Sequence, residues 1–463
     1  MPKTDKSVSP AAPLMTIPPA DTSAASDAKP SLLPPPPPLD GFAPQEFKAR
    51  RDALRAGCPD GILLVRGSTE DEVPAWAPLR YRQNSNFFYL TGVDTPGAFL
   101  VLLPDGITAS SGLRGVPAGV REVMFIPNRD ASAEAWSGPK LGPGEETEKA
   151  TGIARAMDAG KLWAALTSWL RRNPVLYTVS PYGETAAGTR EYALMRRLAD
   201  LAPVVQFRDV SPAVAKLRVV KSPAEVDRMR QAATVSAEGQ RAARAAIARG
   251  PGKREYDVEA EVFRAFRGRG ATLAFASIVG GGVNATTLHY EDNSAELKNG
   301  DLVVVDVGAR VGHYCGDLTR TYPVGGKFGP RQREVYDLVL AAHRHAVSSY
   351  RPGEDTLDTL NDRSKEFLKN SPMRSKDAAG AEKTMDVFMP HNIGHFLGLD
   401  VHDVGDREPM LAPGHVITIE PGVYLPPEAV GVRIEDDYLV TPTGLERLGE
   451  PLEVDADEIE GSM

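Results

Sequence analysis

The chain has only two cysteines, Cys58 and Cys315, in 463 residues. So small a supply excludes a disulfide framework and a thiolate metal cluster, and it fits a reducing compartment. No run approaches the roughly 18 apolar residues of a membrane-spanning helix, and the amino terminus lacks the apolar core of a secretory signal. The expected compartment is the cytoplasm, with no membrane partner. Basic excess is missing too. With a formal net charge of -9, nucleic acid is not expected as a partner, because nothing would displace its phosphate counterions. What is present, 42% apolar and 25% charged residues, is the balance of a soluble globular protein, and the length calls for two domains plus extensions.

Residues 1–40 are rich in Pro, Ala, Ser and Asp and include the run Pro34 to Pro38. Such a segment cannot bury enough apolar surface to offset its ordering entropy, so a disordered or loosely docked tail with polyproline II character is expected. From 41 to 215, β-type runs starting near Gly61, Gly97, Arg121, Val175 and Val204 alternate with helical stretches near 160–172 and 190–202. That alternation predicts an α/β domain with a largely parallel or mixed sheet. Inside it, Tyr81 to Gly92 (YRQNSNFFYLTG) is dense in aromatics and amides and reads as a core strand plus a turn. The character changes at Ser222, where Ser-Pro-Ala-Glu forms a capping box at the head of a helix that stops at Gly250-Pro251. The boundary is therefore placed between Ala213 and Ser222. Across 216–463, helices followed by antiparallel strands occur twice, which predicts an α+β domain built of two similar halves. In the long helix from about Pro330 to Tyr350, His343 and His345 lack acidic or cysteine neighbours at ligand spacing and read as surface residues.

Seven residue positions stand out for chemistry. In Leu302 to Tyr322, two β-type runs flank Val311-Gly312. With those two as the loop, Asp306 faces Asp317 across a hairpin, and directly opposed carboxylates repel unless a cation sits between them. A different register would leave both solvated. His391, His395 and His402 place three of the chain's eight histidines in one short stretch. Zincin chemistry does not fit, because Asn392 stands where an HExxH motif needs glutamate. Glu420 ends an apolar strand just before Pro421, and Glu435 lies inside another; each must turn to solvent or be neutralised. Together Asp306, Asp317, Glu420 and Glu435 with one histidine form a hard, oxygen-rich set with room for two divalent ions. Manganese, cobalt or zinc suits such ligands better than copper or an iron-sulfur centre.

The segments DVGARVGHYCGDLTRTY, HNIGHFLGLDVHDVGD, ITIEPGVY and VRIEDDYLVT, in this order across roughly 215–445, resemble the proline-specific "pita-bread" metallopeptidases, relatives of methionine aminopeptidase and creatinase. YRQNSNFFYLTG is similar to the N-terminal domain of aminopeptidase P and of some prolidases. The resemblance implies that Asp306 chelates one metal, that Asp317 and Glu435 bridge both, and that His395 and Glu420 complete the second. Manganese is expected first, with zinc or cobalt as alternatives. Glu420 would also shuttle the proton, His289 and His402 would hydrogen-bond the substrate and developing oxyanion, and His391 would line the pocket for the proline ring. Arg433 would orient the carboxylates or bind a substrate carboxylate, and Gly280 to Gly282 would let the backbone approach the ligand. Two departures stand out: Asn392 where a small residue is usual, and Asn86 where aspartate is common. The implied activity is an exopeptidase that releases the N-terminal residue from peptides with proline in second position, working as a homodimer or homotetramer. The alternatives are a prolidase restricted to Xaa-Pro dipeptides, and a metal-free peptide-binding or creatinase-like relative, in which the five ligand positions kept here would be replaced.

Overall fold

The computed structural model describes residues 42–72, 81–181 and 188–463. The tail expected over 1–40 lies outside the described residues. The N-terminal domain is built on a six-stranded mixed sheet in the order 156–158, 122–126, 99–102, 62–66, 175–178, 206–209. Its central strand, Ile62–Arg66, pairs antiparallel with Phe99–Leu102 and parallel with Val175–Thr178. Alternation along that strand divides the domain into two layers. Ile62 and Leu64 pack with Trp169, Leu194 and Leu198 of the helices Leu162–Leu170 and Arg190–Leu201. Leu63 and Val65 pack with Phe47 and Leu54 of the helix Pro44–Gly57, and this layer continues into Tyr314, Cys315, Leu397 and Leu399 of the C-terminal domain. The second layer therefore seats the N-terminal domain on the stretch that leads to His402.

The strand expected in Tyr81 to Gly92 is instead a helix, Ser85–Thr91. Asn84 caps it by accepting from the backbone N–H groups of Asn86 and Phe87, and Gly92 ends it at φ 66°. Phe87, Phe88, Tyr89 and Leu90 are all buried, so no polar face betrays a helical period, and aromatic content alone imitates a strand.

In the C-terminal domain, the helices Pro223–Ile247 and Glu255–Gly268 precede the antiparallel strands 278–281, 302–307 and 318–323; the helices Pro330–Ser348 and Leu357–Asn370 precede the strands 416–419, 422–425, 430–433 and 436–441. This is the two-halved pita-bread arrangement. The Ser222 capping box is formed, with Ser222 Oγ accepting from Glu225 N and the Glu225 carboxylate accepting from Ser222 N. Further along that helix, Gln240 Nε2 donates to the carbonyls of Val305 (2.9 Å) and Leu318 (2.7 Å), pinning the two hairpin strands beside their aspartates. No helix among the described residues is long and apolar enough to cross a membrane.

The hairpin register differs from expectation by two residues. Val311 pairs with Tyr314, and the loop is Gly312-His313, with φ of 52° and 76°. A tight two-residue hairpin turn needs positive φ at both loop positions, which β-branched Val311 resists and Gly312 accepts. Asp306 consequently faces Thr319, and Asp317 sits diagonally two residues away on the same face. His343 is buried, not superficial: it packs against Tyr438 with Nε2 3.6 Å from Asp436 Oδ2, and burial lowers its pKa to about 4. His345 is partly buried, with its ring stacked on Phe367.

Candidate active site

The two halves of the C-terminal domain meet at Thr319. Its strand pairs on one side with Asp306, and on the other an isolated bridge joins it to Glu435 across the halves. The Thr319 hydroxyl donates to Glu435 Oε2 (2.7 Å) and accepts from Arg433 Nε (3.2 Å). Arg433 is fully engaged: Nη2 donates to Asp306 Oδ2 at 2.6 Å and Nη1 to the Tyr424 hydroxyl at 2.8 Å. Tyr424 in turn reaches His391 Nε2 at 2.9 Å, and burial pushes its phenol up to about 12.

His395 comes from an irregular loop, held where its backbone N–H donates to Thr418 Oγ1 and Phe396 bridges to Ile417. Its Nδ1 lies 3.0 Å from the Phe396 carbonyl, which assigns the proton to Nδ1 and leaves the Nε2 lone pair free. That Nε2 is 3.6 Å from Asp317 Oδ2 and 3.5 Å from Glu420 Oε1. Ligand atoms of Asp317, His395 and Glu435 lie within 4.8 Å of one another. Asp306, turned toward Arg433, and Glu420, 3.9 Å from His391 Nδ1, flank this triad.

The electrostatics of the group are out of balance. Burial, then the charges of Asp306, Asp437 and Glu420, push the Asp317 carboxyl well above the usual carboxylate range; burial, then Asp317, Glu420 and Asp306, do the same to Glu435. Asp306 Oδ1 and Asp317 Oδ1 are buried without a hydrogen-bond partner. Orphaned carboxylate oxygens, an imidazole presenting its lone pair, and like charges crowded together are what a divalent cation would relieve, so the residues fit a metal.

All nine residues proposed from sequence, Asp306, Asp317, His395, Glu420, Glu435, His289, His391, His402 and Arg433, line one cleft of about 670 Å³. His289 and His402 are solvent-exposed in it, and the ring centroids of His402 and His395 are 4.2 Å apart. Partial desolvation against the cleft wall, then the neighbouring His395, lower the His402 pKa although its ring is open to solvent, and burial lowers that of His391. Gly280 to Gly282, expected to let the backbone approach a ligand, do not line this cleft. A Cβ at Gly280 would meet the Asn284 carbonyl, one at Gly281 would meet Leu297, and Gly282 turns the chain at φ 57°. Thr319 and Tyr424 were missed. The signal for Thr319 was its place two residues beyond Asp317 on the same face of a buried strand.

The metallopeptidase family M24 profile matches residues 227–442, and the aminopeptidase P N-terminal domain profile matches residues 47–177. Xaa-Pro aminopeptidase of Escherichia coli is 35% identical over 443 residues, covering 90% of this chain and 97% of the relative. Mitochondrial intermediate cleaving peptidase 55 of Arabidopsis thaliana is 33% identical, covering 88% and 80%. The solved structure of Escherichia coli aminopeptidase P with the inhibitor Pro-Leu matches with a TM-score of 0.76 at 33% identity, covering 91% of this chain and 98% of that one.

Proposed function

The chain belongs to metallopeptidase family M24, in its aminopeptidase P branch, and on that premise we propose how its cleft works as an Xaa-Pro aminopeptidase. The enzyme is a metallo-hydrolase that releases the N-terminal residue from peptides with proline in second position. The observation that carries the site assignment is the crowding of Asp306, Asp317, Glu420 and Glu435 around His395 with one guanidinium, Arg433, to offset them.

We assign two divalent ions, with manganese as the preferred metal, to a site that Asp306, Asp317, His395, Glu420 and Glu435 would hold together. Bound there, such ions would supply Lewis acidity and would lower the pKa of a water toward neutrality. Glu420 takes the proton from the attacking water and passes it to the leaving proline nitrogen. His402 and His289, at the cleft wall, hydrogen-bond the substrate and the developing oxyanion. His391, its Nε2 accepting from Tyr424, lines the proline pocket. We place the domain junction between Ala213 and Ser222 and the protein in the cytoplasm as a homodimer or homotetramer.

Arg433 decides peptide length. A clamp for a dipeptide's carboxylate must have free donors, since an unpaired buried guanidinium is costly, and here its nitrogens are spent on Asp306, Tyr424 and Thr319. The space beyond the proline stays open to further residues. Metal-loaded protein should cleave an Xaa-Pro-Yaa peptide at least as efficiently as the Xaa-Pro dipeptide with the same first residue and leave Ala-Ala-Yaa intact. Cleavage of the dipeptide alone, with Arg433→Ala selectively raising its KM, would establish the prolidase alternative instead.

A further inference from the structure

Between the cleft and the N-terminal domain lies a second buried ion cluster to which the reaction assigns no part. Asp403 directly follows His402. One of its oxygens is bonded by Arg218 Nη2 and the other accepts from Lys221 Nζ at 3.0 Å, with the three side chains only 2%, 3% and 1% exposed. Asp400, on the other side of His402, accepts from Arg218 Nη2 (2.9 Å), from Ser85 Oγ (2.8 Å) and from Arg82. Arg82 also donates to the Leu399 carbonyl, and Arg218 Nη1 donates to Asn86 Oδ1 at 2.6 Å. The turn is drawn tight around the Asp403 carboxylate: its backbone N–H donates to the Phe396 carbonyl, and a Cβ at Gly398 would stand 2.1 Å from Asp403 Oδ2.

We infer that Asp403 is a positioning residue for His402, held by Lys221 and Arg218, and that Arg82, Ser85 and Asn86 extend this hold into the N-terminal domain. His402 projects from between two anchored aspartates, so the ion cluster fixes where its ring meets the substrate. A buried carboxylate shared by two cations is a costly way to obtain stability alone, whereas a displacement of about 1 Å in a reacting group can cost about 100-fold in rate. Asn86 belongs to this device: it supplies a neutral oxygen to Arg218, whose charge is already shared by two carboxylates.

The inference rests on His402 acting on the substrate, and a double-mutant cycle separates the two claims. Asp403→Asn should lower kcat on Xaa-Pro-Yaa by about 10-fold, leaving KM within about threefold and the bound divalent metal unchanged. In a His402→Ala background the same substitution should cost less than about twofold, because the ring it positions is gone. Losses that multiply, or an unchanged kcat in folded Asp403→Asn protein, would overturn the inference while leaving the role of His402 intact. A His402→Ala enzyme with wild-type kcat and KM would overturn it through its premise. Should Asp403→Asn fail to fold, Arg82→Ala carries the same cycle at a more exposed site, with an expected loss of about threefold that must likewise vanish without His402.

Discussion

Two clusters of buried charge flank the loop that carries His395 and His402, and their electrostatics are opposite. At the domain junction, Arg82, Arg218 and Lys221 face Asp400 and Asp403, and each carboxylate oxygen of those two aspartates has a cation on it. Although burial works against it, Arg218 and Arg82 hold the Asp400 carboxyl below its ordinary value. In the cleft, four carboxylates share one arginine, Asp306 Oδ1 and Asp317 Oδ1 have no partner, and Asp317 and Glu435 are pushed well above theirs. In the first cluster every carboxylate oxygen finds its cation within the chain, and only a donor, Arg218 Nε, is left without a partner among the described residues. The second is complete only with cations from outside, and the contrast separates a scaffold from a metal centre more sharply than acidity alone.

The comparison is sharpened most by Glu420, which belongs to the unbalanced cluster and is proposed both as a ligand and as the proton shuttle. Glu420→Gln keeps an oxygen for a metal but cannot carry a proton. It should lower kcat by more than about 100-fold while leaving the circular dichroism of the protein unchanged. A variant within a few-fold of wild type would transfer the proton shuttle to another group.

The cleft was legible in the sequence because its chemistry demands unusual residues in unusual places: carboxylates inside apolar strands at Glu420 and Glu435, and histidines concentrated at 391, 395 and 402. The junction cluster was not. Its partners are ordinary charged residues far apart in the chain, such as Arg82 and Asp400, and only the folded packing of one domain on the other brings them together. The hairpin lay between these cases. Alternation correctly put Asp306 and Asp317 on one face, but the register depends on which residues accept positive φ, and the pair Gly312-His313 was mistaken for Val311-Gly312. His343 was read as superficial because its acidic neighbour Asp436 is distant in sequence.

Removing and restoring the cation tests the imbalance itself. Metal analysis should give close to two ions per chain after incubation with excess manganese, and a value near zero would leave the cleft without its counter-charge. In chelated protein Asp317 and Glu435 titrate above their unfolded values, so the folded chain holds more protons across that window. Their contribution to stability is then present on the acid side and is lost as pH rises through the raised values. A cation needs the same carboxylates ionised, so its binding strengthens in the same direction. The gap in thermal midpoint between loaded and chelated protein should therefore widen from about pH 5 to about pH 8, reaching the equivalent of about 2.7 kcal/mol when free metal is 100-fold above its Kd. A gap that narrows with rising pH would show that the carboxylates are not the ligands.

The finest test sets one aspartate from each cluster against the other by the same neutralising change. In chelated protein, on the alkaline side of the raised Asp317 titration, Asp317→Asn removes one of several mutually repelling carboxylates and gives the backbone no new void, so the fold should gain about 1 kcal/mol, which is about 2–4 °C in a domain of this size. Asp400→Asn instead deprives Arg218 and Arg82 of a partner. Because the Asp400 side chain is 34% exposed, solvent screens part of that loss, and a destabilisation of about 1 kcal/mol is expected. Loading with manganese should reverse the first sign and leave the second alone, since of the two only Asp317 is proposed as a ligand. Two shifts of the same sign in chelated protein would mean that the clusters differ in location but not in kind.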